Sequence, residues 1–250
     1  MGVTLERRGS AAVVTLDWPA QRNSLGPDEC NEITPVLAEA ARDPGVCGVV
    51  LTGNGAFCAG GNMKGAADRS GMPEEQRRTL VYGAYQGMMR ALVAVPVPTV
   101  AAVDGAAVGM GLDLALACDS RFIGPKGWVM QGWGRVGLIP GTGGVLLLQR
   151  ALAPHGLWSL LENQARIDAA AAEHMGIGEA SGDRPALERA LERVEKLAPM
   201  SREALEAYVD LSRAPLRRDL EAHLAMAVER QLKLLASPDF KRRAAAVLQK

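Results

Sequence analysis

Two glycine-dense turns carry the residue types best suited to chemistry. One is GAFCAGGNM, residues 55–63, and the other is AAVGMG, residues 106–111. A turn of this kind after an apolar strand usually suggests a phosphate cradle, but neither fits the known patterns. GNGAFC (53–58) has Cys58 where the third glycine of the dinucleotide fingerprint belongs, and GMGLDL (109–114) has Leu114 there. No glycine stands before Lys-Ser or Lys-Thr, so the P-loop is absent as well. What remains is a bare backbone. Ala59, Gly60 and Gly61 in one turn, and Gly109 and Gly111 around Met110 in the other, let a ligand approach the main chain closely. Two N–H groups, one from each turn, aimed at one carbonyl oxygen form an oxyanion hole, in which losing a donor costs about 3–4 kcal/mol. The same turns also read as tight strand-to-helix connections, and spacing alone leaves both readings open.

The elements that must hold these turns follow a repeated order of strand, glycine turn and helix. VTLERRG and AAVVTLD read as a strand pair across a Gly9–Ser10 turn. PDECNEITPVLAEAARD (27–43) has helical spacing, with Pro35 as the point where it kinks or splits. VCGVVLTG (46–53) and TVAAVDG (99–105) read as buried strands, the kind covered on both faces in an α/β sheet. Residues 64–75 read as a mobile loop, 74–95 as a long helix, SRFIG and WVMQ as short strands, and VLLLQRALA as a helix. From about Asp168 onward the chain turns amphipathic and helical, rich in Ala, Leu, Glu and Arg.

Bulk properties narrow the function. In 250 residues, 48% are hydrophobic and 22% charged, which suits a globular protein with a substantial core. The formal net charge is zero, so no general field attracts nucleic acid or an anionic membrane, and an anionic ligand needs local Lys and Arg. No apolar run nears the ~20 residues of a membrane span. The N-terminus lacks a signal-peptide stretch, and Glu6 stands where myristoylation would want Ser or Thr. We therefore expect a cytoplasmic protein. Cys30, Cys47, Cys58 and Cys118 are scattered and read as reduced thiols, and His155, His174 and His223 lack metal-ligand spacing, so no metal is expected.

FCAGGNMK, then VDGAAVGMGLDLALACD, then VGLIPGTGG, in that order and at these intervals, resemble the enoyl-CoA hydratase/isomerase (crotonase) superfamily. The upstream WPAQRNSLG matches that family's Asn-bearing turn, and SPDFKRRAAAVLQK resembles its last helix; MGIGEASGD lacks the family's usual strand-like segment. The likeness runs from about Val3 to Met175. It implies an α/β, crotonase-like spiral of repeated ββα units, with a core domain at 1–190 and a C-terminal helical trimerisation region at 191–250. It further implies a homotrimer or a hexamer and an acyl-CoA thioester substrate, with coenzyme A entering as part of the substrate and no separate cofactor. By motif, the thioester oxygen falls to the N–H groups of Gly61 and Met110. Ala59, Met63 and Gly109 lie along the path of the substrate, with the Ala59 backbone near the adenine end. Arg22 and Lys64 are the motif-placed cations for the coenzyme A phosphates, and Lys241, Arg242 and Arg243 are further bases in the last helix.

Hydratases of this family place two glutamates about a water. Here the corresponding positions are Asp113 and Trp133, twenty residues apart. Addition of water across a double bond needs a base and an acid, and Trp133 offers an N–H bond but no exchangeable proton. Asp113 is shorter than Glu by roughly 1 Å, a retreat that can cost ~10²-fold in rate. The resemblance thus implies a lyase or isomerase of the enolate-forming type, with Asp113 as single acid/base, hydration disfavoured, and Trp133 either walling the acyl pocket or filling core space. Asp113 also reads as a helix N-terminal carboxylate held by backbone amides. Asp68, Glu74 and Glu75, in or beside the loop after the first turn, read either as acids that reach the pocket mouth or as solvated loop acids. A chlorobenzoyl-CoA dehalogenase of the family shares the Trp, but Gly141 stands where its nucleophilic Asp belongs. Alternatives are a non-catalytic acyl-CoA-binding protein, or a thioesterase or decarboxylase on the same fold.

Overall fold

A computed structural model describes residues 2–68 and 71–248. The chain opens with β1 (Gly2–Arg8), β2 (Ala11–Asp17), α1 (Pro27–Ala40) and β3 (Gly48–Gly53). Next come α2 (Met63–Asp68), α3 (Glu74–Arg77), α4 (Gly83–Ala94), β4 (Thr99–Val103), β5 (Ala106–Val108) and α5 (Met110–Ala117). β6 (Ser120–Ile123), β7 (Trp128–Met130), α6 (Gly144–Ala151), α7 (Gly156–Asn163), β8 (Ile167–Asp168), α8 (Ala169–Met175) and β9 (Glu179–Ala180) complete the α/β part. The last helices are α9 (Ala186–Leu197), α10 (Arg202–Leu235) and α11 (Pro238–Leu248).

The main sheet has the order β1-β2-β3-β4-β6-β9, parallel throughout except for the antiparallel edge strand β1. A smaller sheet, β5-β7-β8, stands beside it. Val- and Ala-rich strands suit this arrangement because both faces of the main sheet are covered. Val13, Val50, Val100, Ala102 and Phe122 pack under Ala186, Ala190 and Val194 of α9. Val14, Leu16, Val49, Leu51, Ala101 and Val103 point the other way, into the larger core with α1, α4 and α5. Successive strand residues alternate faces, so an unbroken apolar run is what a two-sided sheet requires.

Several expectations change in detail. Pro35 neither splits nor ends α1; it lies on the solvent face, where water can take the carbonyl that its missing N–H leaves unpaired. Residues 64–75 hold helical turns, α2 and the start of α3, where a loop was expected. The 74–95 helix exists, but a π turn at Arg78–Tyr82 interrupts it between α3 and α4. MGIGEASGD supplies β9, a two-residue strand on Phe122 and Ile123, so that segment keeps a strand after all. The expected division at 190/191 falls inside α9, whose apolar face belongs to the sheet.

Candidate active site

The first glycine turn is pinned by the WPAQRNSLG turn. Asn23, fully buried, accepts from the Trp18 N–H at 2.7 Å and donates to the carbonyl of Ala56 at 2.6 Å. The Ala59 N–H donates to the Arg22 carbonyl, the Leu25 N–H to Gly60 and the Asn62 N–H to Leu25. The second turn is stitched to the first by backbone alone. Cys58 N–H donates to Ala106 O, and Val108 N–H to Cys58 O, both at 2.9 Å. The contact is tight enough that a Cβ on Gly111 would stand 2.1 Å from the Cys58 carbonyl oxygen.

In each turn, a glycine in the left-handed half of backbone space precedes the residue that interests us: Gly60 (φ 102°) before Gly61, and Gly109 (φ 53°) before Met110. Side chains resist that conformation, so these two positions need glycine. Neither the Gly61 nor the Met110 N–H has an acceptor among the described residues. Met110 opens α5, whose first-turn N–H groups have no intrahelical partner and carry the positive end of the helix dipole.

Gly61, Met63, Met110 and Trp133 line both of two adjoining spaces. The inner chamber, about 80 Å³, is closed by Tyr82, Tyr85, Leu138, Thr142, Leu235 and Phe240. The π turn ends at Tyr82 and so sets that ring in the wall. The outer groove, about 310 Å³, carries Arg22, Ala59, Gly109, Trp128, Arg135 and Arg166. The Arg166 guanidinium lies 4.2 Å over the Trp128 ring, and Arg135 Nε donates to the Gln164 carbonyl at 3.0 Å.

Asp113 stands one hydrogen bond behind the chamber wall. It is buried, and its Oδ2 accepts from Thr142 Oγ1 at 2.5 Å and from Trp133 Nε1 at 3.2 Å. Among the described residues no backbone amide caps it, so the reading of a helix-terminal carboxylate held by main-chain N–H groups gives way to one held by two side chains. Burial pushes its carboxyl up to about 7, while the Thr142 and Trp133 hydrogen bonds pull in the other direction. Gly144 makes room for it, since a Cβ there would be 2.0 Å from Asp113 Oδ1.

The fold therefore brings together Gly61, Met110, Trp133, Met63 and, one layer back, Asp113, with Arg22, Ala59 and Gly109 along the outer groove. Lys64 is exposed on α2, outside both linings. Glu74 and Glu75 pair with Arg78 at the surface, and Arg242 and Arg243 pair with Asp239. The side chain of Asp68 lies outside what the structure describes. Sequence reasoning missed Thr142, Arg135, Arg166, Tyr82 and Phe240. Thr142 gave a signal as a hydroxyl inside the PGTGG stretch, and Phe240 lies in the stretch that resembles the family's last helix; Arg135, Arg166 and Tyr82 come from segments with no motif. Among the described residues, no group of His, Cys, Asp and Glu is arranged to hold a metal, and no helix is long and apolar enough to cross a membrane.

Comparison with known proteins shows the family. Residues 6–249 match the family described as enoyl-CoA hydratase/isomerase. The probable enoyl-CoA hydratase EchA14 of Mycobacterium tuberculosis is 36% identical over 242 residues, covering 94% of this chain and 93% of that protein. A probable enoyl-CoA hydratase of Rhodobacter capsulatus is 33% identical, covering 96% and 91%. Among solved structures, an enoyl-CoA hydratase from Bacillus halodurans shares the fold at a TM-score of 0.91, over 98% of this chain and 100% of that one, with 20% identity. One from Polaromonas sp. JS666 is 31% identical at a TM-score of 0.77, over 94% and 91%. With the crotonase fold and a match along nearly its whole length, the chain belongs to the enoyl-CoA hydratase/isomerase family of enzymes.

Proposed function

We propose that the protein moves a proton between carbons of an acyl-CoA thioester through an enolate, an isomerase-type reaction, with Asp113 as the only acid/base. The observation that carries this reading is the Asp113 site. A buried carboxyl poised near neutral pH, held by Thr142 and Trp133, sits directly behind the chamber lined by Gly61 and Met110. A general base works best when its pKa is near the working pH.

In this reading the thioester oxygen takes the N–H groups of Gly61 and Met110. Both are without acceptors, and the helix dipole of α5 favours the negative charge that develops there. Thr142 stands between the carboxylate and the acyl group, so the proton moves by relay. The substrate C–H bond breaks and its proton passes to Thr142 Oγ1, while the hydroxyl proton passes to Asp113 Oδ2. The electron pair goes into the enolate. Return of the proton at another carbon reverses the relay and leaves the double bond shifted. Hydration lacks its second acid, because the partner position holds an indole that already donates to Asp113.

The outer groove suits the coenzyme A part. Arg22, Arg135 and Arg166 offer guanidinium groups to its phosphates, with Ala59 backbone toward the adenine and exposed Lys64 reaching from α2. A homotrimer or hexamer is the expected assembly, supported by Tyr208 and Leu211, 65% and 77% exposed on α10; light scattering tests it. A cytoplasmic location is part of the same proposal.

The decisive experiment incubates the protein with enoyl-CoA thioesters in deuterium oxide, following product mass and exchange at the acyl carbons. Asp113→Asn should bind thioester and lose both turnover and exchange. Intact turnover in that variant defeats the acid/base assignment. Binding without turnover by the wild type would mark a non-catalytic acyl-CoA protein, and release of free coenzyme A or CO₂ a thioesterase or decarboxylase.

A further inference from the structure

The chamber wall contains a buried amide with nothing to bind. Gln231, on α10, is 3% exposed and lines the inner chamber. Its Oε1 is fully enclosed and has no hydrogen-bond partner. The contrast with its neighbour is sharp: buried Gln86 spends its Nε2 on the carbonyls of Gly141 and Leu224, both at 3.1 Å. Gln231 makes no such bond among the described residues. Its amide sits in a notch that Gly141 provides, because a Cβ on that glycine would stand 1.8 Å from Oε1 and 2.8 Å from the Tyr82 ring.

Buried polar groups are almost always paired, and one left without a partner is costly. A plain alkyl acyl group in this chamber would leave the amide as it stands, buried and without a partner. We propose that the acyl group accepted here carries a hydroxyl that pairs with the Gln231 side chain. A hydroxyl both donates and accepts, so it satisfies the amide through its oxygen or its nitrogen, whichever faces the chamber. A site built to bond a substrate hydroxyl discriminates strongly against the analogue without it. The inference rests on the acyl-CoA reading and refines it: the chemical class is a short hydroxyacyl or hydroxyenoyl thioester, sized to the small inner chamber.

The test uses butanoyl-, hexanoyl- and octanoyl-CoA and their ω-hydroxy counterparts, titrated calorimetrically into the wild type and into Gln231→Leu. The wild type should bind the hydroxylated ester roughly ten- to hundredfold more tightly than its alkyl partner for at least one chain length. Gln231→Leu, which keeps the volume and removes the amide, should abolish or reverse that ratio. A wild type that favours the alkyl ester at every length overturns the proposal, and so does a preference that survives in Gln231→Leu. In both cases the acyl-CoA reading stands, since the esters still bind. If none of the six binds the wild type, both fail together. The wild-type ratio alone decides the matter should the variant not fold.

Discussion

Asp113 and Asp119 lie at opposite ends of α5 and have opposite fates. Asp113, in the first turn, meets only neutral donors among the described residues, the Thr142 hydroxyl and the Trp133 indole, and burial pushes its carboxyl up to about 7. Burial pushes Asp119 in the same direction, but there the Arg213 guanidinium and Thr99 prevail and hold it below the ordinary carboxylate range. Arg213 Nε donates to Asp119 Oδ1 at 2.8 Å and its Nη2 to Asp119 Oδ2, and the guanidinium also donates to the carbonyls of Val93, Val95 and Val97 and to Thr99 Oγ1. That network is closed: each charge has its counterpart, and α10 is tied to the loop before β4. The site at the other end has no counter-charge among the described residues. A charged partner makes a carboxylate part of the frame, whereas neutral partners leave it free to titrate where chemistry is done.

The largest effect that could break this contrast is in catalysis. Asp113→Asn keeps the shape of the side chain and both donors, yet should lower kcat by about 10²–10⁴-fold, with circular dichroism and thioester binding unchanged. Arg213→Met should do the reverse. It leaves Asp119 without its counter-charge and three carbonyls unpaired, at a cost of about 3–5 kcal/mol in a urea titration, while kcat of the folded fraction stays near that of the wild type. Should Arg213→Met lose turnover but not stability, the division into frame and site is wrong.

The two carboxylates should also bend the pH dependence of stability in opposite senses. The raised folded pKa of Asp113 means the folded state holds a proton that the unfolded chain has released between about pH 4 and about pH 7. Stability therefore falls as pH rises through that window. Asp119, with its folded pKa depressed, contributes stability that is present above its ordinary value near 3.8 and lost as pH falls below it. Thermal melts of wild type and Asp113→Asn from pH 4 to 8 should diverge in favour of the variant as pH rises, and kcat of the wild type should climb with an apparent pKa near 7.

The frame was easier to read from the sequence than the site. Unbroken Val and Ala runs announce a sheet buried on both faces, because each strand residue needs apolar cover on its own side. The paired glycine turns were legible for a related reason: Gly60 and Gly109 adopt backbone conformations that side chains resist. The environment of Asp113 was not legible. Its partners Thr142 and Trp133 lie 29 and 20 residues away, and no local pattern says that two side chains will cap it instead of the amides of its own helix. Arg135 and Arg166 were hidden for the same reason, since they reach the groove from segments with no motif of their own. The π turn is a further case, for 74–95 has an ordinary helical pattern and nothing local in it marks the change of register at Arg78–Tyr82.

Finer substitutions separate the two donors. Thr142→Val removes the shorter bond and the proposed relay, so kcat should fall by about ten- to hundredfold. That hydrogen bond favours the ionised form, so its loss should also move the apparent pKa of the rate profile above the wild-type value. A mere packing role for Thr142 would shift stability and leave the profile in place. Trp133→Phe is the gentlest change, keeping an aromatic wall and deleting one N–H at 3.2 Å. It should raise the apparent pKa in the same direction but less, and lower kcat by less than about tenfold, because the bond is longer and carries no proton. A Trp133→Phe enzyme slower than Thr142→Val would reverse this order and make the indole, not the hydroxyl, the group through which Asp113 acts.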